Sequence, residues 1–197
     1  SESPRSASVI ALEPAQLLVI DLAELERAAT HAKELALELS TFCRQRMQAN
    51  LVRHARVLSG LPPSTRHQLL NQLPVRLFEQ GELLIERDQE AERLLILASG
   101  AVSVSVPEGH ERLVLATLGP GDVVGEISMI LRRKATADVI AMYPTVAYEI
   151  SREALATLMR AHPPLLVELY LLATRRDDEI RAASESEVMT ADDLVLV

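Results

Sequence analysis

From Gly125 to Ala141 the chain reads GEISMILRRKATADVIA: a Gly-Glu pair, a short apolar turn, three consecutive cations and an alternating apolar strand. This order suits the holding of an anion. Gly125 lets the backbone come close to a ligand, and the free N–H groups of Ile127 and Ser128 would open a one-turn helix whose positive end favours a phosphate. Glu126, at the head of that turn, can be read as a carboxylate cap of the helix. A full monoanion also calls for a guanidinium, whose planar fork pairs two oxygens at once. Arg132, Arg133 and Lys134 stand nearby, although three cations on a solvated loop, or facing an acidic partner surface, are the plainer reading.

Nothing else in the chain offers comparable chemistry. His31, His54, His67, His110 and His162 lack metal-ligand spacing, and a single cysteine cannot complete a zinc site. No Ser, Cys or Asp stands in a recognisable nucleophile setting. Neither catalysis nor a resident metal or cofactor is expected. Cys43 lies within a helical pattern and reads as a small buried hydrophobe. Without a second cysteine there is no disulfide framework, which fits a reducing, cytoplasmic compartment. The 197 residues include 20 basic and 28 acidic side chains, a formal charge of −8, which repels nucleic acid and anionic lipid unless a local basic patch intervenes. No apolar run nears the roughly 20 residues needed to span a bilayer, and residues 1–27 lack the basic start and apolar core of a secretion signal. The expectation is a soluble piece, with no direct membrane insertion, that can belong to a larger and even membrane-attached protein.

The elements that would position these residues can be read from periodicity. Leu25, Leu35, Leu39, Phe42, Met47 and Leu51 recur at helical spacings over residues 24–58, with no Gly or Pro before Gly60, so a long helix with one bend is expected. In LPPSTRHQLLNQLP, Ser64 and Thr65 are candidate N-caps of a short helix that Pro74 stops. From Val75 the texture changes to short β-rich runs, VRLF, ELLIE, RLLILA, AVSVSV, RLVLATL, DVVGE, ADVIAM and VAYEI, punctuated by Gly81, Gly100, Gly109 and Gly119. That is the pattern of a compact antiparallel barrel or sandwich. AVSVSV is the clearest alternation, one face apolar and one hydroxylic. After Ser151 the helical pattern returns, and Pro163 and Pro164 force a break between two helices.

The chain also repeats itself. ASVIALEP, residues 7–14, aligns without a gap on ADVIAMYP, residues 137–144, with five of eight positions identical. The same register pairs Ile20 with Ile150, Leu25 with Leu155, LALEL at 35–39 with LLVEL at 165–169, and Arg46 with Arg176. Eleven identities in one register over about 40 residues point to internal duplication. Residues 1–50 then read as the C-terminal strands and helices of a truncated first copy with its helical connector, residues 51–183 as a complete second copy, and residues 184–197 as an acidic and then apolar tail.

With FEQGELLI, LASGAVSV, LGPGDVVGEISMI and ADVIA in order, the chain resembles the cyclic nucleotide-binding domain shared by catabolite activators, the kinase A regulatory subunit and nucleotide-gated channels. The resemblance implies an α+β fold, an antiparallel β-roll of about eight strands, jelly-roll-like, flanked by N- and C-terminal helices. It implies a phosphate-binding cassette made of Gly125, Glu126, Ile127, Ser128, Lys134, Ala135 and Thr136, in which Glu126 accepts a hydrogen bond from a ribose 2′-OH. It also implies cyclic AMP or cyclic GMP as the ligand, with an effector lying outside these residues.

Here the sequence departs from the family. Counting from Glu126, the position of the pocket arginine holds Ala135, and the proline before it is Lys134. The repeat register independently places Arg5 on Ala135 and Pro4 on Lys134, so the first copy keeps its phosphate arginine, Arg5, and the second lacks one. Losing a buried charge-assisted contact costs about 2–4 kcal/mol, roughly 30- to 1,000-fold in affinity. The complete copy is therefore expected to bind weakly or not at all, while regulating an attached effector. Two alternatives stand beside this: a degenerate roll kept for packing or oligomerisation, and a catabolite-activator-type transcription factor without its DNA-binding part. The stripe Leu165, Leu166, Leu169, Tyr170, Leu172 and Ala173 reads as a core face or as a homodimer face of the C-terminal helices.

Overall fold

The computed structural model describes residues 8–192 apart from 18, 109 and 110. Helix α1 (Leu22–His31) breaks at Ala32 before α2 (Lys33–His54), a single-turn 3-10 helix follows (Arg56–Leu58), and α3 spans Pro63–Gln72. The break at Ala32 is the bend expected in the long helix. Helix α3 begins on two prolines, with Pro62 as its N-cap, because proline's fixed φ suits the first helical turn. Ser64 and Thr65 therefore lie inside the helix and do not cap it.

Eight strands then fold as two antiparallel four-stranded sheets among the described residues. These are β1 (Val75–Phe78), β2 (Leu83–Ile85), β3 (Arg93–Ser99), β4 (Val102–Glu108), β5 (Glu111–Leu118), β6 (Val123–Val124), β7 (Asp138–Ala141) and β8 (Thr145–Ser151), in the orders β1-β8-β3-β6 and β2-β7-β4-β5. The short α4 (Glu126–Leu131) links β6 to β7. Helices α5 (Arg152–Ala161) and α6 (Pro163–Asp192) close the chain, separated by the expected proline break, and α6 continues through residues whose conformation the sequence left open. Ser151 caps α5 by accepting from the Ala154 N–H at 3.2 Å. The architecture is the α+β roll with flanking helices.

Strand β3 shows how one sequence builds two cores. In RLLILAS, Leu94, Ile96 and Ala98 face the helices, packing with Leu51, Leu58, Leu70, Tyr148, Leu155, Leu165 and Leu169. Leu95 and Leu97 face the roll interior with Phe78, Ile85, Val124, Ala135, Val139 and Ala147. Strand periodicity of two puts alternate residues on opposite faces, so a continuous apolar run is what a strand buried on both sides requires. Each such leucine removed from water contributes about 2 kcal/mol.

The alternation read in AVSVSV does not run the whole strand. The pairing of β4 with β5 shifts between Val104 and Ser105, and a bulge of this kind turns a strand's following residues relative to the pleat. Ser105 is consequently buried, and its hydroxyl accepts from Arg112 Nε at 3.2 Å.

The second half of α2 packs on the roll through Met47, Leu51 and Val52. Leu51 is buried, while Leu37 and Phe42 are exposed and Cys43 is exposed rather than buried. Arg66 of α3 donates to the carbonyls of Val52, Ser59 and Leu61 at 2.7–2.8 Å and locks the turn between α2 and α3.

Candidate functional site

Strand β6 leads into α4 through Gly125, whose φ is +87°. A Cβ at this residue would stand 2.5 Å from the Arg93 carbonyl oxygen, so the left-handed backbone and the close approach of β3 both demand glycine. The Gly125 carbonyl accepts from the Met129 N–H at 3.0 Å, which leaves the Ile127 and Ser128 N–H groups in the open first turn. The Ser128 hydroxyl accepts from the Ala91 N–H at 2.9 Å and donates to the Arg133 carbonyl at 2.5 Å, tying α4 to the β2–β3 connection and to its own exit. Helix α4 ends on Arg132 at φ +53°, a left-handed conformation that costs a non-glycine residue about 1–2 kcal/mol.

A cavity of about 370 Å³ lies between the roll and α6. Ile85, Val104, Leu118, Val124 and Val139 give it apolar walls, and Gly125 to Ser128 with Ala135 and Thr136 form the cassette side. Helix α6 covers it with Arg175, Arg176, Glu179 and Ile180. Apolar walls with few convergent polar groups are the ordinary make-up of a small-ligand site.

Glu126 is the buried acid of this cavity, its side chain 4% exposed. Its Oε1 accepts from Arg176 Nη1 at 2.9 Å, and the same nitrogen donates to the Val123 carbonyl at 2.6 Å. Arg176 Nη2 also stands 3.9 Å from Asp122 Oδ1. Burying a carboxylate demands a partner of this kind. The carboxylate that the resemblance assigns to a ribose hydroxyl is thus held by a guanidinium from the covering helix.

Ala135 is buried in the cavity wall. Its N–H donates to the Gln89 carbonyl at 2.8 Å and its carbonyl accepts from the Asp88 N–H at 2.9 Å, so its backbone is pinned on both sides. Beside it Thr136 lines the cavity, its Oγ1 buried with no hydrogen-bond partner among the described residues. None of the three neighbouring cations lies in the lining of this cavity. Lys134 and Arg132 are exposed, and Arg133 Nη1 is bonded to Asp177 Oδ2 of α6 at 2.7 Å. Arg5, the arginine of the first copy, lies outside the described residues. Gly125, Glu126, Ile127, Ser128, Ala135 and Thr136 are brought together; Lys134 is not.

Sequence reasoning passed over the contribution of α6. Arg176 enters the sequence reading only as the repeat mate of Arg46, and the stripe from Leu165 to Ala173 reads there as a core or homodimer face rather than as part of a cover. The usable signal was the Arg175-Arg176 pair just beyond that stripe, on a helix long enough to reach back over the cassette. Among the described residues no group of His, Cys, Asp and Glu is placed to hold a metal ion, and no helix is long and apolar enough to cross a membrane.

Residues 75–162 match the family model of the cyclic nucleotide-binding domain, and that part of the chain belongs to this family. The chain is 29% identical over 174 residues to human cGMP-dependent protein kinase 2, covering 81% of this chain and 23% of the kinase. It is 27% identical over 128 residues to the CRP-like cAMP-activated global transcriptional regulator of Mycobacterium tuberculosis, covering 64% of this chain and 57% of the regulator. Among solved structures, the catabolite activator protein of Thermus thermophilus superposes with a TM-score of 0.58 at 28% identity, covering 68% of this chain and 62% of that one. The regulatory domain of Toxoplasma gondii PKA, co-crystallised with cAMP, shares the fold at a TM-score of 0.57 and 17% identity, covering 72% of this chain and 52% of that one. The chain thus spans less than a quarter of the kinase and under two thirds of the bacterial regulators.

Proposed function

We infer that the complete roll is a regulatory module of the cyclic nucleotide-binding type that binds cyclic AMP or cyclic GMP weakly or not at all and controls an effector joined to it outside these residues. The observation that supports this is the charge at the cavity wall. Where a cyclic phosphate would need a guanidinium stands the methyl group of Ala135, and Arg176, which does reach the cavity, is already held by Glu126 and Val123. A phosphate entering here would meet backbone N–H groups but no uncommitted cation of the cassette. Calorimetric titration of the chain with cyclic AMP and cyclic GMP tests the reading: dissociation constants of hundreds of micromolar or weaker are expected, and low-micromolar binding by either nucleotide overturns it.

The duplication assigns residues 1–50 to the tail of a preceding copy. Val9, Ile10, Leu12 and Val19, all at least 78% exposed, are apolar side chains of a kind that another module would cover. A second reading, a packing or oligomerisation role, is favoured by α6, where Leu166, Val167, Tyr170 and Leu171 are exposed along one side of the helix. In that reading two copies pair through this face, and Val167→Glu shifts the mass measured by light scattering from dimer to monomer. Duplex DNA is not expected as a partner, given the charge of −8 and the acidic C-terminal sequence.

A further inference from the structure

A second cavity, of about 470 Å³, shares α4 with the first. Met129 and Ile130 of α4, Leu155 and Met159 of α5 and Leu166 at the start of α6 give it apolar walls, and Arg132, Arg133 and Arg152 stand in its lining. We propose that this cavity binds a small amphiphilic anion, a carboxylate carried on a short apolar chain, with the carboxylate between Arg132 and Arg152 and the chain against Met129, Leu155 and Met159.

Three observations carry this. First, the positive charge is in excess. The Arg132 side chain makes no hydrogen bond or ion pair among the described residues, and Arg152 has a carbonyl partner, Ala91 at 3.2 Å, but no carboxylate among them. Arg133 shares Asp177 with Arg181, so one acid faces two guanidiniums. Of the described residues only Glu90 brings an acid to the wall, and it is exposed. Second, Arg132 is held at φ +53° where α4 ends, a conformation rarely kept by a non-glycine side chain unless the surroundings impose it. Third, the polar groups suit a carboxylate better than a sugar or a base. The donors are guanidinium forks, which match a carboxylate in two-point geometry, and the Ser128 hydroxyl is already spent on Ala91 and Arg133.

Ser128 lines both cavities, and Arg133 links the exit of α4 to Asp177 on α6. An occupant of the second cavity would therefore act on the element that covers the first, and any coupling between the two sites is reciprocal. The inference does not depend on whether the first cavity binds a nucleotide.

The test is calorimetry on the full chain with octanoate, octanol and acetate as probes. Octanoate should bind saturably at one site, at least about tenfold more tightly than octanol or acetate. Arg132→Ala should weaken octanoate about tenfold, as should Ala156→Leu, which fills the cavity from α5, with circular dichroism confirming that both variants are folded. Equal binding of acetate would make this a plain anion site, and equal binding of octanol a plain apolar one; either result overturns the proposal. So does the absence of saturable octanoate binding to the folded chain, or binding that both substitutions leave unchanged, which would place the probe elsewhere.

Discussion

Arg176 and Glu126 stand 50 residues apart in sequence and meet at 2.9 Å, joining the covering helix to the first residue of α4. The pair is nearly buried, with side chains 15% and 4% exposed, so its value lies less in net attraction than in what is left when one partner goes. Arg176→Ala should destabilise the chain by about 3 kcal/mol, because it strands a buried carboxylate and frees the Val123 carbonyl. Adding Glu126→Gln should recover part of that loss, which a double-mutant cycle from urea unfolding would measure. Hydrogen exchange should show the protection of residues 175–183 falling first; an unchanged midpoint and unchanged protection would mean the pair does not hold the lid.

Gly125→Ala should cost more than about 2 kcal/mol, since the left-handed backbone alone costs about 1–2 kcal/mol and the new methyl would meet the Arg93 carbonyl at 2.5 Å. Gly119→Ala is the internal control, because nothing lies within 4 Å of a Cβ there; it should stay within about 0.5 kcal/mol. Comparable unfolding midpoints for the two variants would refute the account of Gly125.

The roll was legible because strands buried on one face write period-two apolar runs and strands buried on both faces write continuous ones, and those runs follow one another along the chain between turn glycines. What stayed hidden depends on contacts between distant segments. The burial of Ser105 follows from a pairing shift that no local pattern records. Cys43 reads as buried because it lies within a helical pattern of apolar residues, yet Leu37 and Phe42 near it are exposed among the described residues. Gly125 to Ser128, Ala135 and Thr136 line one cavity while Lys134 does not, and the Gly-Glu turn that starts this group is a local signal. Arg176 was missed because its role comes from where a 30-residue helix lands, and a helical wheel does not give that.

Tyr148 offers a pH-dependent check of the helix-side core. Burial pushes its hydroxyl above the ordinary tyrosine value of 10.0, with Gln48 and Arg44 opposing, and among the described residues no group stands at hydrogen-bonding distance from the buried oxygen. A raised folded-state pKa favours the neutral form, so this contribution is complete below about pH 10 and is lost as pH rises through the folded value. Wild type should therefore lose stability above pH 10 more steeply than Tyr148→Phe. At pH 7 the substitution should be neutral or stabilising by up to about 1 kcal/mol, because it removes an unpaired buried hydroxyl. A loss of 2 kcal/mol at pH 7 would show that the hydroxyl has a partner after all.

Ala135→Arg should give the first cavity measurable affinity for a cyclic nucleotide. Spacing from Glu126 and the register with Arg5 single out this position, and the residue already lines the cavity. Its backbone is fixed by hydrogen bonds to Gln89 and Asp88, so a longer side chain need not disturb the connection between α4 and β7 to enter the cavity. A guanidinium there would complete a charge-assisted contact worth about 2–4 kcal/mol, a gain of roughly 30- to 1,000-fold. The competing outcome is that the new cation pairs with Glu126 and displaces Arg176, in which case the lid loosens and little affinity appears. Lys134→Pro with Ala135→Arg separates these cases by restoring the Pro-Arg pair that the first copy carries at residues 4 and 5. Calorimetry with cyclic AMP and cyclic GMP on both variants should show micromolar binding in at least one. If neither binds while both remain folded, the missing arginine is not what limits this pocket, and the hold of Arg176 on Glu126 becomes the next group to remove.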